Sequence, residues 1–264
     1  MISLTLTLSR WERGLLQHPP QGEREHNTHY LPVGSVINLY LASCILYLPY
    51  TMNRTYSPLD RLIGLIDDGL NTLFGPASQC ERPSPAADLP EAELSPVERQ
   101  LSGQLLRVDH AGEICAQALY QGQALTARLP VVREKMEQAA QEENDHLAWT
   151  AERLQELGTH NSRLNPLWYA GSFAIGALAG LVGDKWSLGL VAETEHQVVE
   201  HLEGHLHELP PADAKSRAIL QQMREDEGQH ATTAIEAGAA ALPEPVKTLM
   251  RLSSKVMTRT ALYL

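Results

Sequence analysis

Aromatic residues make up only 5% of this 264-residue chain. That is too few for the aromatic and β-branched faces of a β-sandwich, and the apolar residues present point to helices built from Leu, Ala and Val, so the expected class is all-α. Basic residues are outnumbered: 21 Lys and Arg against 32 Asp and Glu leave a formal net charge of -11. A partner held through phosphates needs clustered Lys and Arg, which excludes nucleic acid. Cysteine is scarce as well. Cys44, Cys80 and Cys115 are odd in number and form no Cys-x-x-Cys pair, which argues against a disulfide framework or a zinc knuckle and fits a reducing cytoplasm. The longest apolar run near the start, Leu39 to Leu48, falls short of the ~20 residues that span a bilayer and lies too far from Met1 for an ordinary signal peptide.

Residues 1–51 show no sustained hydrophobic period and are read as an unassigned N-terminal extension, with Met52 as a candidate true start. Residues 52–95 hold a short helix, marked by Leu59, Leu62, Leu65 and Ile66, and a linker rich in Pro, Ala and Ser from Gly75 to Pro96. Residues 96–264 read as one helical domain. Its spacing predicts helices at about 96–127, 131–158, 185–208, 212–239 and 244–262, separated by Pro130, by the stretch Thr159 to Pro166, by Gly183 with Asp184 as an N-cap, by Pro210-Pro211, and by Pro243 with Pro245. Between the second and third lies Leu167 to Gly183, apolar all round and rich in glycine. It reads either as a buried crossover helix or as a surface that docks on a membrane or lines a lipid pocket.

Two matching pairs, Glu143-x-x-His146 and Glu227-x-x-His230, stand out, since residues three apart on a helix share a face and can converge on one metal ion. The spacing alone is weak, because on the order of one such pair arises by chance, and Glu23-x-x-His26 and Glu193-x-x-His196 also occur. Helical phase separates them. Glu143 and His146 fall on the stripe of Val132, Met136, Ala139, Thr150, Leu154 and Leu157, with Glu142 and Asn144 on the solvated flank. Glu227 and His230 fall on the stripe of Leu220, Met223 and Ala234. Glu195 sits between Leu188, Val191, Ala192 and Val198, Leu202, Leu206, which puts Glu193 and His196 off that face as a solvated coincidence. Glu113 shares a weaker stripe with Leu106, His110, Tyr120 and Ala124, and Cys115, on another side of the helix, reads as core.

An ionised carboxylate on an inner stripe costs several kcal/mol without a countercharge, and a metal ion supplies one. Helix length gives a second check. Glu113 lies 17 residues before Pro130 and Glu143 lies 13 after it, while Glu195 lies 15 before Pro210 and Glu227 lies 16 after Pro211, so both hairpins return each pair to the level of its acid. One Glu from each of two helices plus Glu-x-x-His from the other two is the donor set of dinuclear di-iron or di-manganese carboxylate bundles of the ferritin-like kind. Oxygen and imidazole donors suit iron or manganese better than thiolate-seeking metals. Asp109, Asp145 and Asp226 are candidates to orient a ligating imidazole, against the alternative of exposed acids. Tyr120 is a candidate neighbour of the site or core, His201 a candidate at its edge, and His205 and His207 are read as solvated.

The stretches LRVDHAGE, EENDHL, AETEHQVVEHL and REDEGQHA together resemble the demethoxyubiquinone hydroxylase family of ubiquinone biosynthesis. The likeness runs from about Arg54 to Leu264 and includes YSPLDRLI and the apolar segment. It implies a ferritin-like four-helix bundle, with an added apolar helix that docks on the membrane and a C-terminal helix. It also implies that Glu113, Glu143, His146, Glu195, Glu227 and His230 ligate two iron ions, ferrous in the state that meets O2. The implied activity is O2-dependent hydroxylation of the ring of a polyprenyl demethoxyubiquinol, peripheral to the cytoplasmic face of the cell membrane. Implied partners are that quinol, an electron donor, the membrane surface and other proteins of ubiquinone biosynthesis. No Gly-x-Gly-x-x-Gly fingerprint is present, and direct reduction by NADH is left open. Two other readings compete: a rubrerythrin-like di-iron peroxidase or ferroxidase, and a non-catalytic membrane-bound lipid carrier with a structural metal. The apolar segment speaks against the first and the four inner carboxylates against the second.

Overall fold

The computed structural model describes residues 57–75 and 80–264, which form seven helices and, among these described residues, no strand. The N-terminal extension, Met52, Cys44 and the apolar run at Leu39 to Leu48 lie outside them. The helices are α1 (Pro58–Phe74), α2 (Pro96–Thr126), α3 (Pro130–Glu156), α4 (Asn165–Val182), α5 (Asp184–Glu208), α6 (Ala214–Glu236) and α7 (Glu244–Ala261). Five match the helices expected from periodicity to within a few residues.

Local chemistry sets their ends. Ser95 opens α2 with a capping box: its hydroxyl accepts from the Glu98 amide, while the Glu98 carboxylate accepts from the Ser95 amide. Ser57 and Asp60 do the same for α1. Asp213 caps α6 by accepting from the Ser216 amide. Asp184 does not cap α5 as expected. Gly183, at φ 140°, takes the cap position, and the Asp184 carboxylate instead accepts from the amides of Arg128 and Leu129 at 3.0 and 2.9 Å. It thereby holds the turn between α2 and α3, a bond between chain segments that periodicity does not register.

Helices α2 and α3 form one antiparallel hairpin and α5 and α6 a second, and the four pack as a bundle with α4 as the crossover between hairpins. Its core is split in two. At one end Leu105, Leu106, Trp149, Leu154, Leu202, Ile219, Leu220 and Met223 pack together. At the other are Tyr120, Val132, Met136, Leu188, Val191 and Ala234. Each large apolar side chain buried this way contributes roughly 1.5–3 kcal/mol. The residues left between the two layers, on all four helices, are the Glu and His positions that phase picked out.

The apolar segment has two unlike sides. On one side α4 lies against α2 at backbone distance: a Cβ added at Gly176 would stand 2.2 Å from the Leu119 carbonyl oxygen, and one at Gly122 would stand 2.3 Å from that of Phe173. On the other side Leu167, Ile175, Leu178 and Leu181 are exposed. α1 runs beside it, with the Gly69 backbone against the Tyr169 ring, and leaves Leu59, Ile63, Ile66, Leu70 and Phe74 exposed. α7 likewise exposes Leu249, Leu252 and Val256. Among the described residues no helix is long and apolar enough to cross a membrane.

Candidate metal centre

The six predicted residues meet between the two apolar layers. Glu113 on α2, Glu143 and His146 on α3, Glu195 on α5 and Glu227 on α6 are each at most 3% exposed, and the His230 side chain on α6 is 9% exposed. His146 Nδ1 lies 3.1 Å from Glu143, 3.2 Å from Glu227 and 3.4 Å from Glu113. His230 Nδ1 lies 3.1 Å from Glu227 and 3.3 Å from Glu143. Glu143 and Glu227 thus sit between both imidazoles, while Glu113 belongs to the His146 side. Glu195 accepts a hydrogen bond from the buried Tyr120 hydroxyl at 2.5 Å, and Tyr120 stands edge-on to the His230 ring.

The outer nitrogens of the two imidazoles are held in the same manner. His146 Nε2 pairs with Asp226 at 2.9 Å, and His230 Nε2 pairs with Glu142 at 2.7 Å. In each case the partner is the acid just before the Glu of the opposite Glu-x-x-His pair. This is the carboxylate–imidazole arrangement that fixes a ligating histidine's tautomer and ring orientation. Of the two places read for each, Asp226 lies against a candidate imidazole and Tyr120 against a candidate acid. Glu142, read as solvated flank, reaches across to α6 with its 41% exposed side chain. Phase along α3 cannot reveal a bond to another helix.

Other expectations need correction. Asp145 touches no candidate ligand; it accepts from Arg82 Nε at 2.6 Å and from the Glu81 amide at 2.7 Å. Arg82 also donates to Asp226 at 2.8 Å and lies over the Trp149 ring. A residue of the linker therefore braces the acid behind His146, and a loop without periodicity carried no signal of it. Asp109 is buried and faces His201 and His205, so His201 is not at the edge of the six-residue cluster, and His205, read as solvated, is 7% exposed. His207 is exposed, as expected. Glu193 is off the cluster as foreseen but is buried rather than solvated, beneath Lys247 of α7 at 2.9 Å. Cys115 meets Ser172 of α4, and burial pushes its thiol up to about 11.

Electrostatics show what the cluster lacks. Burial, and then the neighbouring Glu143, hold the Glu113 carboxyl well above the usual range; burial, then Glu227 and Glu143, do the same to Glu195. Burial also opposes ionisation of Glu143, but His146 and His230 outweigh it and keep that carboxyl well below the usual range. His230, against the pull of burial, is raised to about 12 by Glu143 and Glu227. Protein charges alone thus balance the site only by loading protons onto imidazoles and carboxyls. Glu113 Oε2, Glu143 Oε1 and Glu195 Oε2 still lack any hydrogen-bond partner. Buried acceptors without donors, aimed into an oxygen- and imidazole-rich pocket, fit divalent cations: two such ions balance four carboxylates. Between the end of α1 and helices α2 and α3 a cavity of about 70 Å³ is lined by His110, Asn144, Leu147 and Ala148. Burial lowers the His110 imidazole to about 4, leaving it neutral.

Residues 100–261 match the family model described as ubiquinone biosynthesis protein COQ7. The chain belongs to the COQ7 family. Curated relatives agree along most of the chain. A protein of Nitrosococcus oceani is 61% identical over 211 residues, covering 80% of this chain and 99% of its own length. One of Stutzerimonas stutzeri is 60% identical over 206 residues, covering 78% and 96% respectively. One of Alcanivorax borkumensis is 56% identical over 213 residues, covering 78% and 97%. All three are named 3-demethoxyubiquinol 3-hydroxylase. The COQ7 match spans all six residues of the cluster together with Tyr120, Glu142 and Asp226; Arg82 precedes it.

Proposed function

We propose that this chain is a 3-demethoxyubiquinol 3-hydroxylase, using O2 to hydroxylate the ring of a polyprenyl demethoxyubiquinol in ubiquinone biosynthesis. The observation that carries this reading is the buried Glu and His cluster in a chain 61% identical to a protein of that name. Glu113, Glu143, His146, Glu195, Glu227 and His230 would hold two iron ions, which when bound supply the binding and reduction of O2. One oxygen atom enters the ring and the other leaves as water, with two electrons from an external donor, for which NADH is a candidate.

The remaining work falls to the chain itself. Asp226 and Glu142 accept from the outer nitrogens of His146 and His230 and so keep both Nδ1 atoms turned inward. Tyr120 fixes the Glu195 carboxylate. The two apolar layers exclude water from the cluster, which strengthens every charge interaction inside it. The substrate's isoprenoid tail is insoluble in water, and the exposed apolar faces of α1 and α4 support peripheral docking on the cytoplasmic face of the membrane. Other proteins of ubiquinone biosynthesis could dock on the same faces.

Two experiments test the proposal. Glu143→Ala should lose bound iron, and cells relying on it should accumulate quinone precursors lacking one methoxy group; normal ubiquinone in those cells would refute the assignment. The protein should sediment with lipid vesicles, and Ile63→Asp with Ile66→Asp should abolish sedimentation while iron content stays at the wild-type level. Sedimentation unaffected by both changes would remove α1 from the membrane contact.

A further inference from the structure

Asp109 lies one helical turn before Glu113 on α2, yet its side chain belongs to a separate group. It is fully buried, and its Oδ1 lies 2.7 Å from His205 Nδ1 and 3.5 Å from His201 Nε2. His201 and His205 are four apart on α5, a spacing that places both on one face, and their rings stand 4.0 Å apart. One donor atom from each residue falls within 4.8 Å of the others. Neither approach meets hydrogen-bond geometry, which leaves both Asp109 oxygens, His201 Nε2 and His205 Nδ1 without an aligned partner, although against burial the two imidazoles draw the Asp109 carboxyl down and Asp109 draws His205 up. An ion pair explains a carboxylate beside one imidazole. It does not account for the second imidazole nitrogen aimed at the same buried oxygen.

We propose that Asp109, His201 and His205 form a mononuclear site for a divalent ion of the zinc class, separate from the six-residue cluster. Two imidazoles and one carboxylate are a donor set that zinc takes in open sites, with water in the fourth position. At zinc–ligand distances of about 2.0–2.1 Å, tetrahedral donors stand about 3.3 Å apart, between the two separations seen here. The His201 side chain is 34% exposed although its Nε2 is buried, so the group lies at the rim of the bundle with its donor atoms turned inward. Asp109 comes from the first hairpin and both histidines from the second, so a bound ion would join α2 to α5 and tie the hairpins together.

The test uses the full-length protein, stripped of metal and then titrated with Zn2+, with bound metal counted after gel filtration. Wild type should bind three ions per chain. His201→Ala combined with His205→Gln should bind two, the third ion weakening by at least about tenfold. Glu143→Ala should retain the site, and Zn2+ should raise its melting temperature, whereas adding the two histidine substitutions to Glu143→Ala should reduce that rise. If the double variant misfolds, His201→Ala alone, at a partly exposed position, should show the weakened third ion. Equal ion counts in wild type and the histidine variants, or a Zn2+-induced rise indifferent to them, would overturn the proposal and leave an ion pair.

Discussion

Removing one oxygen atom from Tyr120 separates the preorganisation of the cluster from its bulk stability. In Tyr120→Phe the ring still fills its place beside Val191 and Leu188, and only the bond to Glu195 is lost. In the metal-free protein burial, then Glu227 and Glu143, raise the Glu195 carboxyl well above its usual range and so favour its neutral form, for which the lost bond is worth about 1 kcal/mol. With ions bound, Glu195 is a carboxylate, and a hydrogen bond to a charged acceptor is worth about 2–3 kcal/mol. The difference, about 1–2 kcal/mol, should appear as iron affinity weaker by roughly 5- to 30-fold, since about 1.4 kcal/mol is a factor of ten. Anaerobic competition against a ferrous chelator measures the affinity, and urea denaturation of the metal-free protein measures the stability. Unchanged iron affinity, or a loss of metal-free stability as large as the loss in affinity, would refute the reasoning.

Asp226→Ala should lower iron affinity by roughly 10- to 100-fold by freeing the His146 ring, read by the same competition, and should leave the melting temperature less affected than iron binding. Arg153→Met should cost about 3–5 kcal/mol in urea denaturation, because it strands the fully buried Asp213, which Arg153 Nη2 reaches at 2.9 Å. The Asp213 carboxyl is lowered in the fold, with burial opposing and Ser102, Ser216 and Arg153 prevailing, so its stabilisation is present above the unfolded carboxylate value near 3.8 and fades as pH falls through the lower folded value. Acid unfolding of Arg153→Met, followed by circular dichroism, should therefore begin at higher pH than in wild type. Gly176→Ala should lower stability by about 1–2 kcal/mol, the overlap with the Leu119 carbonyl outweighing the better helix propensity of Ala, and should lower the melting temperature by several degrees in calorimetry.

Phase and hairpin length located the six cluster residues, because a polar residue on an apolar stripe is visible in one dimension and the return distance of a helix is a matter of counting. The bonds around them needed three dimensions. Glu142 is off the stripe of its own helix and finds its partner on α6. Arg82 sits in a stretch with no period, and its two carboxylate partners lie 63 and 144 residues away. Periodicity puts His205 and Glu193 in solvent because the four-helix pattern omits α2's other face and the cover that α7 provides. The apolar segment was ambiguous for a physical reason: glycine allows one face to meet backbone while Leu and Ile occupy the other, so uniform hydropathy concealed a two-sided helix.

The Gly122–Gly176 crossing also has a mechanical consequence. Where helices meet through long side chains, a push on one is absorbed by rotamers turning aside. Here α4 rests directly on the peptide groups of α2, the rod that carries Glu113, and a displacement of its outer apolar face is transmitted to that rod without slack.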